Sequence, residues 1–209
     1  MRNETTTSVW DPVVRVGHGL LIVGFATAYL TEGKPAWLHE WSGYGLAAVV
    51  ALRIVWGFVG PRHARFGEFV VSPVAGLRYL RDLVTFRAPR HLGHSPAGGL
   101  MVLALLASLL TTTVTGVAYL GMSRDRGPLS PWLGAEAAAQ IAAMPPGAEE
   151  TREIRRRRPG RWMKEIHEIA ANATLALVLL HVGGVLLASV VHRENLPRAM
   201  VTGRKRATP

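Results

Sequence analysis

Four long apolar stretches dominate the pattern of hydrophobic and polar positions along the chain. They cover residues 13 to 31, 38 to 59, 97 to 121 and 163 to 191. About 20 helical residues, at about 1.5 Å each, cross the hydrocarbon core of a bilayer, which is about 30 Å thick. The pattern therefore predicts an all-α integral membrane protein, with four spans packed as a single helical bundle over residues 1 to 209.

The two longer connections between these stretches have patterns of their own. In the second connection, Ser72 and Pro73 precede leucines at helical spacing with arginines between them, which predicts a short amphipathic helix on the membrane surface. The third connection, residues 122 to 162, is rich in Ala, Pro and Gly and contains an Arg-rich segment over residues 152 to 161. We expect this connection to be a loop on the outer side of the membrane.

The basic residues predict how the spans are oriented. Six arginines lie in residues 60 to 95 and five basic residues follow position 191. Residues 31 to 37 contain only one basic residue, Lys34. Because cytoplasmic loops are enriched in Lys and Arg, this distribution predicts that the second connection and both termini are cytoplasmic. The Arg-rich segment of the third connection works against this orientation, and we treat it as part of a long translocated loop.

Composition agrees with a membrane protein and narrows its chemistry. Of the 209 residues, 49% are hydrophobic and 18% are charged, against about 25% charged in a typical soluble domain. The net charge of +10 comes from residues that flank the apolar stretches, so it requires no nucleic-acid partner. Because the sequence has no cysteine, disulfides, iron–sulfur ligation and a cysteine nucleophile are excluded, and the eight histidines become the candidate ligands.

Four histidines lie inside or at the start of apolar stretches, where ionisable residues are rare and usually functional. They are His18, His39, His167 and His181. His167 and His181 share the fourth stretch and are 14 residues apart, which places them about 3.9 helical turns apart on nearly the same face. One predicted helix therefore offers two ligands at two depths in the membrane.

The alternating direction of the spans sorts these histidines by depth. His39 and His167 form a predicted outer pair, and His18 and His181 form a predicted inner pair. A single histidine on an apolar face is usually a hydrogen-bonded core residue, but two pairs across helices suit two flat macrocycles with an imidazole on each face. A zinc or copper ion usually takes three or four ligands, and Ala171 rules out the His-Glu-x-x-His motif.

The other four histidines lie in connections or at a helix end, and we expect them to be solvated or interfacial. They are His63, His91, His94 and His192.

Several segments of the chain carry a family resemblance. They are residues 16 to 20 around His18, residues 38 to 57 with His39 and Arg53, residues 92 to 96, and residues 166 to 181. Together these segments resemble the bacterial cytochrome b561 and nickel-hydrogenase b-type cytochromes, which are four-helix membrane proteins that carry b hemes. The resemblance covers nearly everything except residues 122 to 160. It implies that His18, His39, His167 and His181 are axial ligands of two molecules of heme b per chain, paired as above.

The resemblance also implies a function, with its partners. We expect one-electron transfer in a respiratory chain of the bacterial cell membrane, between the quinone pool and a periplasmic c-type cytochrome or a docked hydrogenase or dehydrogenase subunit. The chain would act alone or as the cytochrome b subunit of an oxidoreductase, surrounded by membrane lipid, and a second copy of the chain is a further candidate partner. The alternatives are a histidine-based metal-ion transporter and a structural membrane anchor for a soluble enzyme.

Arg53 completes the set of predicted cofactor-binding residues. It follows His39 by 14 residues, so it faces the bundle as His39 does but near the predicted depth of the inner pair. A charge there costs about 2.5 to 3.5 kcal/mol on insertion scales unless it is paired or reaches the interface. Since we expect no carboxylate from the spans at this depth, a heme propionate is the predicted partner, and an arginine that reaches the cytoplasmic interface is the alternative.

Overall fold

The computed structural model describes residues 6–32, 34–124, 127–145 and 160–207. Its helices and strands, in chain order, are β1 (Thr6–Ser8), α1 (Pro12–Leu30), α2 (Ala36–Val59), α3 (Pro73–Val84), α4 (Pro96–Arg124), α5 (Ser130–Ala142), α6 (Arg161–Val191), α7 (Leu196–Thr202) and β2 (Arg204–Arg206). Two single turns of 3-10 helix, Arg62–Ala64 and Phe66–Glu68, lie between α2 and α3.

Helices α1, α2, α4 and α6 correspond to the four predicted spans. Each is long and apolar enough to cross a membrane, with mean hydropathy of 1.6, 1.6, 2.0 and 2.3 in its most apolar window. At most 22% of the residues in any of these windows are buried within the protein. Large apolar side chains that remain exposed along helices are suited to lipid rather than to water. The prediction of an all-α membrane protein with four spans is confirmed.

The chain forms two compact units, which are described separately. The first unit comprises Met1–Ala107 and Thr174–Pro209, and the second comprises Ser108–Ala173. Helices α4 and α6 contribute residues to both units.

In the first unit, α1 and α2 pack against each other as a helical hairpin. Asp11 begins α1 because its carboxylate accepts hydrogen bonds from two backbone amides of the first turn, and Pro12 has the fixed φ that suits a first helical position. Gly24 lets α2 approach closely, since a Cβ at Gly24 would lie 3.1 Å from the side chain of Leu46. Leu46 and Val50 are among the most buried side chains of the protein.

The short helix predicted between the second and third spans is present as α3. Ser72 caps it by accepting from the Ala75 amide, and Pro73 occupies its first position. The helix buries Tyr79 and Leu83 and leaves other apolar side chains exposed, which is typical of a helix at a membrane surface.

Both ends of the described chain meet the connection between α3 and α4 in an arrangement that we call the terminal clasp. Strands β1 and β2 pair antiparallel, with Thr7 opposite Lys205. The buried Lys205 Nζ donates to the carbonyls of His91 and Leu92 at 3.0 and 2.9 Å. Arg90 forms a bidentate ion pair with Glu194 at 3.1 and 2.9 Å, and their side chains are only 12% and 6% exposed.

In the second unit, α5 lies within the connection that the sequence analysis treated as a loop. The first turns of α6 are polar and carry two ion pairs at helical spacing, Arg161 with Glu165 and Lys164 with Glu168. Such pairs stabilise a helix end, which explains why α6 begins two residues before the predicted span. Most of the Arg-rich segment, including residues 155 to 158, lies outside the described residues.

Candidate functional site

The first unit brings together the histidines of the predicted inner pair. His18 lies in the second turn of α1 and His181 in the second half of α6. Their imidazole rings are both partly buried, with centroids 6.3 Å apart and planes inclined by 61°. Residues 163 positions apart in sequence therefore face each other across two helices.

This separation can be tested against the geometry of a shared metal. An imidazole nitrogen binds a first-row metal at about 2.0 to 2.1 Å and lies about 1.2 Å from its ring centre, so two imidazoles on opposite faces of one metal have centroids about 6.3 to 6.5 Å apart. The 6.3 Å between His18 and His181 fits that value. Among the residues that the structure describes, no group of three or more His, Asp or Glu side chains is arranged to hold a metal ion. The donor set at His18 and His181 is thus two imidazoles, as in a six-coordinate heme.

His39 lies near the start of α2 and is oriented by the backbone of α1. Its Nδ1 donates to the carbonyl of Ala28 at 2.8 Å. Because a carbonyl oxygen can only accept, the proton of a neutral His39 is on Nδ1 and the lone pair is on Nε2. A histidine that ligates a metal usually has this form, with one ring nitrogen on a backbone carbonyl and the other available to the metal.

His167 is held in the same way within the second unit. Its Nδ1 donates to the carbonyl of Thr112 at 2.8 Å, and the hydroxyl of Thr115 lies 3.4 Å from the same nitrogen. Gly116 provides the space for the ring, because a Cβ at Gly116 would lie 2.9 Å from Cε1 of His167. His39 and His167 belong to different units, so their pairing stays a prediction.

The residues on α4 that position His167 were missed by the sequence analysis. A backbone carbonyl leaves no residue-type signal in a sequence, and Gly116 resembles other glycines of apolar helices. The signal that could have found Gly116 is a glycine in the third span at the depth predicted for His167.

Arg53 lies beside an aromatic side chain in the first unit. Its guanidinium carbon is 5.3 Å from the centre of the Phe66 ring, and its NH1 nitrogen is buried without a hydrogen-bond partner among the described residues. Asp11 lies within electrostatic range of Arg53 and accepts a hydrogen bond from Trp56 Nε1 at 3.2 Å. The expectation concerned carboxylates of the spans. Asp11 precedes the first apolar stretch and caps α1, so a carboxylate from outside the spans lies within electrostatic range of Arg53.

His94, for which we expected a solvated or interfacial position, is only partly exposed. Ser95 caps α4 by accepting from the Gly98 amide at 3.2 Å, and His94 therefore lies immediately before the helix. Its ring packs against Trp10 and Phe69, with centroid distances of 4.7 and 4.3 Å, and its Nδ1 is buried without a hydrogen-bond partner among the described residues. Burial lowers the pKa of His94 to about 3, and the nearby positive charges of Arg53 and Lys205 act in the same direction.

The remaining histidines of the connections lie near the ends of the long helices. His63 and His91 line a cavity of about 170 Å³ together with Glu68, Gly93 and His94. The ring nitrogen Nε2 of His192 forms a hydrogen bond of 3.1 Å with the hydroxyl of Tyr79. Burial lowers the pKa of His192, and the positive charges of Lys205 and Arg90 contribute to this shift.

Comparison with known proteins gives one match. The model of a protein family described as prokaryotic cytochrome b561 matches residues 9–203. No curated protein and no solved structure is detectably similar to the chain.

Proposed function

The chain belongs to the prokaryotic cytochrome b561 family, and we propose that it is a membrane cytochrome with two b hemes that carries single electrons in a bacterial respiratory chain. A b-type cytochrome of the membrane follows from the family itself. Beyond that, we propose the number of hemes, the residues that bind them and the electron-transfer partners.

The observation that carries the proposal is the spacing of His18 and His181. Their ring centroids are 6.3 Å apart, which fits two imidazoles on opposite faces of one iron. His18 and His181 would fill both axial positions of the first heme. Arg53, whose NH1 nitrogen has no partner among the described residues, would bind a propionate of this heme.

A second heme is supported by the orientation of His39 and His167. Both rings donate through Nδ1 to a backbone carbonyl at 2.8 Å, which assigns the lone pair to Nε2 in each. Two histidines fixed in the ligating form, on two different spans, are what a second bis-histidine site requires. We propose that His39 and His167 are the axial ligands of the second heme.

Bound heme supplies one-electron redox chemistry through its iron. Two histidines per iron leave no open coordination position, so this chain's residues favour electron transfer over the binding or activation of oxygen. Few residues of the four spans are buried within the protein, so both ligand pairs belong to helices that face lipid. Quinones dissolve in the same lipid. We propose the quinone pool as one redox partner. A periplasmic c-type cytochrome, or a docked hydrogenase or dehydrogenase subunit, would be the other.

The location that goes with this function is the bacterial cell membrane, with both termini in the cytoplasm. The basic second connection and basic tail support that orientation.

Heme content and paired ligand variants test the proposal. A pyridine hemochrome assay of the purified protein should give about two b hemes per chain, both low-spin. His18→Ala and His181→Ala should disturb one component of a redox titration, whereas His39→Ala and His167→Ala should disturb the other. His192→Ala is the matched control and should leave both hemes in place, because His192 contacts Tyr79.

Protein purified without heme b would refute the cytochrome and favour an ion transporter or a structural anchor. If His18→Ala and His39→Ala perturbed the same redox component, the pairing would be wrong.

A further inference from the structure

Four buried side-chain nitrogens in the first unit lack a hydrogen-bond partner among the described residues, in Arg15, Arg53, His94 and Arg206. Two of them, the NH1 nitrogen of Arg53 and the Nδ1 nitrogen of His94, flank one cluster of aromatic side chains. Burying a polar group without a hydrogen bond is unfavourable, and most buried polar atoms in proteins are paired. Two such atoms in one region point to a group that binds there.

Arg53 and His94 contact the same cluster of aromatic side chains. Arg53 lies 5.3 Å from the Phe66 ring, and the His94 ring lies 4.3 Å from Phe69. The rings of Phe66 and Phe69 are themselves 5.8 Å apart. Arg53 and His181 both lie within electrostatic range of His94, so His94 belongs to the surroundings of a proposed heme ligand.

A group that pairs with both nitrogens would accept hydrogen bonds, and a negative charge on it would suit the permanently cationic Arg53. Two charged side chains near these nitrogens, Asp11 and Lys205, already have hydrogen-bond partners. Asp11 accepts from two backbone amides and from Trp56, and Lys205 donates to two backbone carbonyls of the terminal clasp. A carboxylate with two oxygens could accept from Arg53 through one and from His94 through the other.

We propose that His94 and Arg53 together bind one propionate carboxylate of the heme held by His18 and His181. This inference rests on the proposed function, and it assigns His94 a role in cofactor binding. His94 is fixed for that role, since Trp10 and Phe69 pack on its ring and the cap at Ser95 sets its backbone position.

The test uses the heme-loaded protein in detergent and compares three variants. His94→Leu removes the donor, and His94→Asn keeps an N–H donor close to the position of Nδ1. His192→Leu is the matched control, because it removes a partly buried histidine of the same unit that contacts Tyr79. Resonance Raman spectroscopy of the propionate bending bands reports the hydrogen bond directly, and a redox titration reports its effect on the iron.

We expect His94→Leu to shift one propionate bending band and to lower the midpoint potential of the heme at His18 and His181. The potential should fall because a carboxylate with fewer hydrogen bonds leaves more negative charge near the iron, which favours the oxidised form. The other heme and the His192→Leu control should be unchanged, and His94→Asn should restore most of the shift.

Two outcomes would overturn the inference. One is an unchanged propionate band and potential in His94→Leu with both hemes present, and the other is a shift confined to the second heme. If His94→Leu does not retain heme, the His94→Asn variant decides. A propionate bending band at its wild-type position then supports the inference, and a band shifted away from that position counts against it. Failure of the proposed function is recognised separately, as wild-type protein without heme b in the pyridine hemochrome assay.

Discussion

Substituting alanine for Gly116 should dislodge His167 and remove one heme. The added Cβ would lie 2.9 Å from Cε1 and 3.1 Å from Nδ1 of the His167 ring, whereas ordinary contact begins at 3.4 Å. The ring must therefore retreat by at least about 0.5 Å. The ligand distance in a metal site is held within about 0.2 Å, so a displacement of this size is incompatible with an intact bond.

The same movement strains the hydrogen bond that orients His167. Its 2.8 Å bond to the carbonyl of Thr112 would lengthen toward the upper limit of a well-formed hydrogen bond, which is about 3.2 Å. Overpacking of this kind typically costs about 1 to 3 kcal/mol, which is too little to unfold a membrane protein of four spans but enough to favour release of the ligand.

The assay is heme content by pyridine hemochrome together with a redox titration of the membrane-extracted protein. Gly116→Ala should retain about one heme per chain, and the surviving component should be the one that His18→Ala abolishes. Gly45→Ala is the control, because Gly45 lies exposed on α2 and a Cβ there meets no atom within 4 Å. Two hemes with unchanged potentials in Gly116→Ala would show that the position of the His167 ring does not determine heme binding.

Three further outcomes are expected. Glu194→Gln should lower the free energy of unfolding by about 3 to 5 kcal/mol, because it leaves Arg90 charged and buried. Glu165 is exposed, so Glu165→Gln should lower the free energy of unfolding by less than about 1 kcal/mol. Burial raises the pKa of Glu194, but hydrogen bonds from Arg90 and the Arg206 amide outweigh burial and hold this pKa below its usual value. The contribution of Glu194 is therefore present at neutral pH and is lost as the pH falls below the ordinary glutamate range, and thermal unfolding at several pH values should show this loss in the wild type but not in Glu194→Gln. Arg53→Ala should lower the midpoint potential of the heme at His18 and His181 by tens of millivolts in a redox titration, and Arg53→Lys should lower it by less. The reason is that a unit charge at about 10 Å in an effective dielectric of about 20 is worth about 1.7 kcal/mol. Unchanged potentials with full heme content would leave Arg53 as an interfacial arginine. A reporter fused to the C-terminus should report the cytoplasm and a fusion within residues 130 to 150 the opposite side, and equal compartments would contradict four spans.

The sequence predicted the spans well because hydrophobicity alone determines which helices can cross a bilayer. Helices α1, α2, α4 and α6 each begin within about two residues of the predicted positions. The approach of His18 to His181 was also predictable, since span direction and residue depth can be read from the sequence.

The surroundings of the ligands were not predictable in this way. Asp11 and His94 belong to polar connections in the sequence. The structure places them at the starts of α1 and α4, within electrostatic range of Arg53. The terminal clasp was missed for a related reason. The basic residues of the tail predicted the orientation of the spans. The contacts of Lys205 with the His91 carbonyl and of Glu194 with Arg90, however, join positions more than 100 residues apart.

The terminal clasp determines when during biosynthesis this fold can be completed. Strand β1 leaves the ribosome before the first span, but β2 is translated only after the last of the four spans. Contacts of such long sequence separation form late, so β1 and Arg90 stay open to water while the intervening spans are inserted. Likewise, His18 can face His181 only after the last span has been translated. A chain arrested before residue 204 would leave β1 without its partner strand.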